Sequence, residues 1–473
     1  MDDRRPRAHP TSPGGETGSD GTTIVAPATP PGAGAISLLR LSGPEAFSIA
    51  FRMTGADPSR VPARALVRCT VRDGKGEEFD SGLVVYFPAP KSFTGEDVAE
   101  IHMHGNPVLV EQAAAATCQL GAVPAEPGEF SRRAFQNGKM DLTQAEALAD
   151  LIAAKTEGAA RAALRQLKGG IREAISPLRE QLFDLFALLE ASIDFSEDED
   201  VPPLLHSQVQ ERVSHLIEQV GRCLATYTRG HRFRDGATVA IAGVANVGKS
   251  RLLNRLLGEE RAIVTEIPGT TRDYLSGEVS LAGIPLRLVD TAGLREAEDP
   301  VEREGVRRSR EIIAGADLTL FVLDRSRPAH EGDREAYREV AGRPHLVLLN
   351  KRDLPASENG AQFCGPGRKE TLPVSAKTGE GIDSLLREIA RDLAPEEDAI
   401  MTEAPLTRIR HREAVRKAEI ALGRAREASG NALPMEFIAA DVREAAQALA
   451  ELTGEIAPEE VLHAIFSTFC IGK

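Results

Sequence analysis

A chain of 473 residues, 42% of them hydrophobic, has room for roughly two to four domains, each with its own core. No apolar run reaches the ~18 residues of a membrane span, and five cysteines without C-x-x-C spacing suggest neither a zinc site nor a disulfide framework, which fits a reducing cytoplasm. The net charge of −14 argues against a protein that coats nucleic acid non-specifically, while leaving room for a local basic patch.

Residues 1–21 are rich in Pro, Gly, Ser and charge, hold no apolar segment, and carry Asp2, Asp3, Glu16 and Asp20. They read as a disordered tail rather than a secretory signal or a transit peptide. Residues 22–139 read as a small α/β or α+β domain, with strand-like stretches at Ile36 to Leu41, Gly82 to Phe87 and Val98 to His102 between turn clusters. His102 and His104 could ligate a metal from one face of a strand, but no carboxylate or cysteine stands at a recognisable spacing. Solvated or hydrogen-bonded loop histidines are the expectation there.

Residues 140–231 change period. Leu178, Leu182, Leu185, Leu189 and Ile193 mark one face of a helix, and Val209, Val213, Leu216, Val220 and Leu224 repeat it after the acidic run at 196–200. From 232 to 394, apolar strands alternate with helical stretches, the pattern of a mostly parallel sheet covered on both faces. Residues 395–473 are helical again, with Val442, Ala445, Leu449 and Leu452 on one face and Val461, Leu462, Ile465, Phe466 and Phe469 on another. Helices before and after the α/β region each need a partner for their apolar face. Packing them together makes that region an insertion in one helical domain.

The chemistry sits in the α/β region. Gly243-Val244-Ala245-Asn246-Val247-Gly248-Lys249-Ser250 follows the apolar run Thr238 to Ala242 and precedes a helical stretch that starts at Arg251. It matches the phosphate-binding loop, whose backbone N–H groups cradle phosphates, with Lys249 reaching the β- and γ-phosphates and Ser250 ligating Mg²⁺. Asp290-Thr291-Ala292-Gly293 ends another strand, where the carboxylate holds Mg²⁺ through water and the Gly293 N–H meets the γ-phosphate. Asn350-Lys351-Arg352-Asp353 places an Asp that suits the donor pair of guanine, which adenine lacks, and Ser375-Ala376-Lys377 completes the base pocket. Between the first two motifs, Gly269-Thr270-Thr271 offers Thr271 to the γ-phosphate and Mg²⁺. Leu294 stands where Ras-like enzymes carry a water-orienting glutamine, so either GTP is barely hydrolysed or other groups supply that task. Glu302 is one candidate, and a surface carboxylate paired with nearby Arg is the alternative reading.

These motifs, together with Thr23-Ile24-Val25-Ala26, Ser92-Phe93-Thr94-Gly95-Glu96-Asp97, Pro127-Gly128-Glu129-Phe130-Ser131 and the final Cys470-Ile471-Gly472-Lys473, resemble the MnmE (TrmE) family of tRNA-modification GTPases from about Thr22 to Lys473. The resemblance implies an N-terminal folate-binding α/β domain, a helical domain, and an inserted P-loop, Ras-like GTPase domain. It implies a homodimer joined through the N-terminal domains and a partnership with the FAD-dependent MnmG (GidA). Together they would add an aminomethyl or carboxymethylaminomethyl group to carbon 5 of the wobble uridine of certain tRNAs, using 5-formyl- or 5,10-methylene-tetrahydrofolate.

Within the GTPase domain it implies a K⁺ ion held by Asn246, Thr265, Ile267 and Thr270, in a loop where Glu266 and Pro268 also border GTP, and Glu302 as the residue that orients water. It implies folate contacts from Arg40, Glu100, Lys139 and Lys473. For Cys470 a nucleophile and a packed small residue both stay open. Between Leu406 and Arg426, Arg408, Arg410, Arg412, Arg416, Lys417, Arg424 and Arg426 form a local basic excess that fits either tRNA phosphates or a solvated helix with intrahelical pairs. A ribosome-assembly switch, binding RNA without modification chemistry, is the competing reading, but it leaves the N-terminal domain and the terminal Cys470 to Lys473 unexplained.

Overall fold

The computed structural model describes residues 21–194, 204–259, 276–291, 300–357, 363, 371–393 and 406–473, without the side chains of 259, 300–306 and 308. The chain divides into two compact units, 1–149 with 453–473, and 150–452.

The first unit is built on a six-stranded sheet in the order β3-β4-β5-β2-β1-β6. Its strands are β1 (Ile24–Pro27), β2 (Gly34–Ser42), β3 (Val67–Arg72), β4 (Glu78–Phe87), β5 (Val98–Gly105) and β6 (Val123–Pro124). All pairings are antiparallel except β1 with β6. Period-two alternation divides the two faces. Leu39, Leu41, Val84, Ala99 and Ile101 pack under α1 (Ala46–Thr54) and α2 (Pro107–Gln119), while Arg40, Glu100, His102 and His104 alternate with them on the opposite side. The two histidines therefore lie on a strand and not in a loop, because the β2–β5 ladder continues to Gly105. Each faces a carboxylate: His104 Nδ1 is 2.6 Å from Asp80 Oδ1, and His102 Nε2 is 3.7 Å from Glu100 Oε2.

The end of the chain completes this unit. The α15 helix (Glu459–Phe466) packs Leu462, Phe466 and the following Phe469 against Leu142 and Ala145 of α4 (Leu142–Ala153), beside Phe135 of α3 (Glu129–Gln136). The apolar face of this segment finds its partner here, where a Cβ on Gly128 would come within 2.4 Å of the Phe466 carbonyl oxygen.

In the second unit, α6 (Gly170–Asp194) and α7 (His206–Ala225) pack with α13 (Ile409–Gly430) and α14 (Met435–Thr453). The leucines expected on one face, Leu178, Leu182, Leu185 and Leu189, are all buried there, each contributing roughly 1.5–3 kcal/mol. Helices on either side of the α/β region thus share one core, with that region inserted between them.

The inserted sheet has the order β12-β11-β10-β7-β9-β8. It comprises β7 (Ala237–Ala242), β8 (Ser276–Leu281), β9 (Ile284–Asp290), β10 (Leu318–Asp324), β11 (His345–Asn350) and β12 (Leu372–Pro373). Only β8 is antiparallel to its neighbour, and the inner strands are nearly continuous apolar runs, as strands buried on both faces require. Helices α5 (Glu157–Leu167) and α8 (Tyr227–Asp235) dock on the β8–β9 hairpin, whose turn residues Ala282 and Gly283 both have positive φ. A Cβ on Gly158 of α5 would lie 2.4 Å from the Gly283 carbonyl oxygen, and the Thr156 hydroxyl donates to that same oxygen at 2.6 Å.

Candidate nucleotide site

The strand order reverses at β7, between β9 and β10, so the loop after β7 opens at the switch point where open α/β sheets bind ligands. Its path requires left-handed backbone. Gly243 and Gly248 have φ of +143° and +98°, and a Cβ at either would come within 2.4 Å of Val322 O or Asn350 Nδ2. Asn246, exposed at the loop tip, has φ +66°, a conformation that Asn tolerates better than most residues. The loop then enters α9 (Lys249–Glu259), which aims its N-terminus at the same place.

Lys249 is 8% exposed and donates to the Val244 carbonyl at 3.0 Å. Burial pushes its ammonium below the ordinary lysine value, against the pull of Asp290. At the end of β9, Asp290 accepts from Ser250 Oγ at 2.6 Å through Oδ2. Its other oxygen, Oδ1, is buried without a hydrogen-bond partner among the described residues. Burial pushes this carboxyl up, opposed by the Ser250 hydrogen bond and the Lys249 charge. A hydroxyl and an orphaned carboxylate oxygen side by side suit a hard divalent ion or its water, so these residues fit Mg²⁺. Thr291 turns away: its hydroxyl donates to Ile241 O at 2.9 Å inside the core, a structural role for the second residue of the motif.

The base side is joined to the phosphate side by Asn350. Its amide donates to Val247 O at 2.7 Å and accepts from the Ala376 N–H at 2.9 Å, tying three motif loops together. The Ser375 hydroxyl donates to Asp353 Oδ1 at 2.7 Å, and this bond, with lesser help from Lys377, holds the Asp353 carboxyl below its usual range. Arg251, Arg255 and Lys377 border an open groove of about 500 Å³ beside this pocket. Lys351 was expected at the base, and its ammonium reaches Asp324 at the end of β10, a partner that sequence reasoning missed. An acidic residue ending a strand on the ligand edge was the available signal.

Residues 265–271, Ala292, Gly293 and Leu294 lie outside the described residues, and so does the Glu302 side chain, although its backbone is in α10 (Pro300–Gly315).

In the other unit, Arg40 Nε donates to Glu100 Oε1 at 2.8 Å and its guanidinium lies 5.9 Å from the Phe93 and Phe130 ring centres. Arg40 also approaches Gly472 O at 3.4 Å. Gly472 has φ +92° and runs so close to β1 that a Cβ would meet Pro27 O at 2.1 Å. Cys470 is exposed, and Lys473 is half-buried. Lys139 donates to Pro90 O at 2.9 Å, on the same loop as Phe93.

The basic stretch on α13 is largely engaged, and mostly between helices rather than within one. Arg408 binds Asp150 at 2.7 Å, Arg410 donates to the carbonyls of Glu451 and Leu452, and Arg424 reaches Asp441 and Glu444. Arg416 and Arg426 are exposed.

Residues 23–139 match the family model described as GTP-binding protein TrmE N-terminus, and residues 142–470 match the MnmE helical domain. The protein from Aquifex aeolicus named tRNA modification GTPase MnmE is 44% identical over 95% of this chain and 99% of its own length. Proteins of the same name from Paramagnetospirillum magneticum and Methylococcus capsulatus are 46% and 43% identical, over 95% and 96% of this chain and 99% of theirs. These matches along nearly all its length make the chain a member of the MnmE family of tRNA modification GTPases, a GTP hydrolase whose phosphate loop lies at the switch point of the inserted sheet.

Proposed function

We propose that the protein is a K⁺-stimulated GTPase that acts in the cytoplasm as a homodimer with an MnmG-type flavoprotein. In this reading it adds a carboxymethylaminomethyl or aminomethyl group to carbon 5 of the wobble uridine of certain tRNAs, with a one-carbon unit from tetrahydrofolate. The observation that carries the folate half is the meeting of Arg40, Glu100, Phe93 and the Gly472 backbone in one place. A guanidinium and the terminal Lys473 suit the glutamate tail of folate, a carboxylate suits pterin donors, and an aromatic ring suits stacking.

In hydrolysis, Lys249 neutralises the β- and γ-phosphates and the backbone of the loop orients them. Ser250, with Thr271, would hold Mg²⁺, whose charge offsets that of the phosphates. Asn246, with Thr265, Ile267 and Thr270, would hold K⁺, which would supply positive charge beside the phosphates, and Glu302 would orient water in place of Leu294. Asn350, Asp353 and Ser375 select guanine, since loss of a paired buried bond discriminates strongly.

The test is a titration of the full-length protein with 5-formyl-tetrahydrofolate. Saturable binding that falls at least about tenfold in Arg40→Ala, with GTP hydrolysis retained, is expected. A wild-type protein that binds no folate would overturn the modification reading and favour an RNA-binding assembly switch.

A further inference from the structure

The β10 strand ends in Asp324, a carboxylate only 7% exposed and directly opposite Asn350 in the parallel register of β10 and β11. Both oxygens are engaged. Oδ1 accepts from the Ser326 backbone N–H at 2.9 Å and from Ser326 Oγ at 2.6 Å, which leaves Oδ2 to accept from Lys351 Nζ at 2.6 Å. Burial alone would raise this carboxyl, but the Lys351 and Ser326 hydrogen bonds outweigh it and keep Asp324 ionised.

The loop that carries Asp324 is itself braced. The Arg325 N–H donates to Asn350 O at 3.0 Å, and Arg327 binds Asp333, which is 1% exposed, at 2.7 Å. On the other side of the pair, Lys351 has φ +67°, a left-handed conformation that a residue with a Cβ adopts only under strain. Such strain persists where surrounding contacts over-determine it. Lys351 stands between Asn350, which binds the phosphate loop, and Asp353, which Ser375 aims into the base pocket. If residues 350–353 relaxed, both side chains would lose their aim together.

We infer that Asp324 is a positioning residue for guanine-nucleotide residence: by holding the Lys351 ammonium it locks the strained 350–353 loop in the form that binds the base. The inference rests on the reading of Asn350 and Asp353 as the guanine side of the site. Apart from the Asn350 bond to Val247 O, the phosphate side is held by β7, α9 and β9, so the lock acts on how long a guanine nucleotide stays more than on the rate of hydrolysis once bound.

Release of a fluorescent GDP from the full-length protein tests this. Asp324→Asn keeps the shape and removes the charge; it is expected to speed release about tenfold, while kcat at saturating GTP stays within about twofold. Lys351→Met removes the ammonium, keeps most of the stem and should reproduce the faster release, and the double variant should release GDP no faster than either single variant. Should Asp324→Asn fail to fold, Lys351→Met and Lys351→Arg still separate loss of the charge pair from its retention. Wild-type release rates in Asp324→Asn, or an equal acceleration by Asp324→Asn in the Lys351→Met background, would overturn the inference. A wild-type protein that showed no preference for guanine over adenine nucleotides would instead overturn the base-pocket reading.

Discussion

Asp290 and Lys249 are two charges buried side by side at the expense of the fold. The Asp290 carboxyl is raised by burial, so the nucleotide-free folded state binds its proton more readily than the unfolded chain does. Its contribution to stability is therefore fully present below the ordinary carboxylate range and is lost as pH rises through the raised value. At neutral pH, Asp290→Asn should raise the melting temperature of the nucleotide-free protein by roughly 2–4 °C and reduce hydrolysis of GTP by about a hundredfold or more. A melting temperature that falls, measured by calorimetry without nucleotide, would show that the Ser250 hydrogen bond outweighs the burial.

On the proposed reading Asn246 serves two ends, a left-handed backbone and a cation ligand from an exposed side chain. They separate under salt. With Asn246→Gly the backbone is satisfied and the ligand is gone, so hydrolysis should fall about tenfold in K⁺ and become insensitive to its replacement by Na⁺. A K⁺ preference that survives this change would assign Asn246 to backbone geometry alone.

At the level of elements, the β8–β9 hairpin deserves its place in the core because α5 grips its tip. Gly158 admits no side chain against Gly283 O, and Thr156 both caps α5 and donates to that oxygen. Gly158→Ala should destabilise the second unit by about 1–3 kcal/mol, read as a lower denaturation midpoint with GTP affinity near normal once folded. Unchanged stability would mean that the hairpin shifts to make room at little cost. The same elements show what the sequence could and could not reveal. Apolar period gave α6, α7 and the inner strands, because burial on one face or on two leaves its mark in one dimension. That β5 runs on past His102 to Gly105 is not legible, because the strand carries polar residues on the open face of a sheet and ends in glycine.

For the whole molecule, the phosphate loop, the two motif aspartates and the base-pocket serine were legible because each is a short run with its own chemistry. The pairing of Asp324 with Lys351 and the docking of α15 on α4 were not. They join residues distant in the chain, and no local pattern records which apolar face meets which. The docking has its own test. Replacing Phe466 by Ala removes the ring that packs on Phe135 and Phe469, and should destabilise the first unit by about 3–5 kcal/mol while GTP turnover by the second persists. Hydrogen exchange that changes equally in both units would argue against such independence.

That arrangement also orders events on the ribosome. Residues 1–149 emerge early, yet the segment that covers Leu142 and Ala145 is made about 300 residues later. At roughly 5–20 residues per second, the first unit waits on the order of 15–60 s with an apolar face bare. Nascent chains stalled before residue 453 should therefore be more open to protease at α4 than the finished protein. Residues 453–473 thus act as the clasp for a helix made about 300 residues before them.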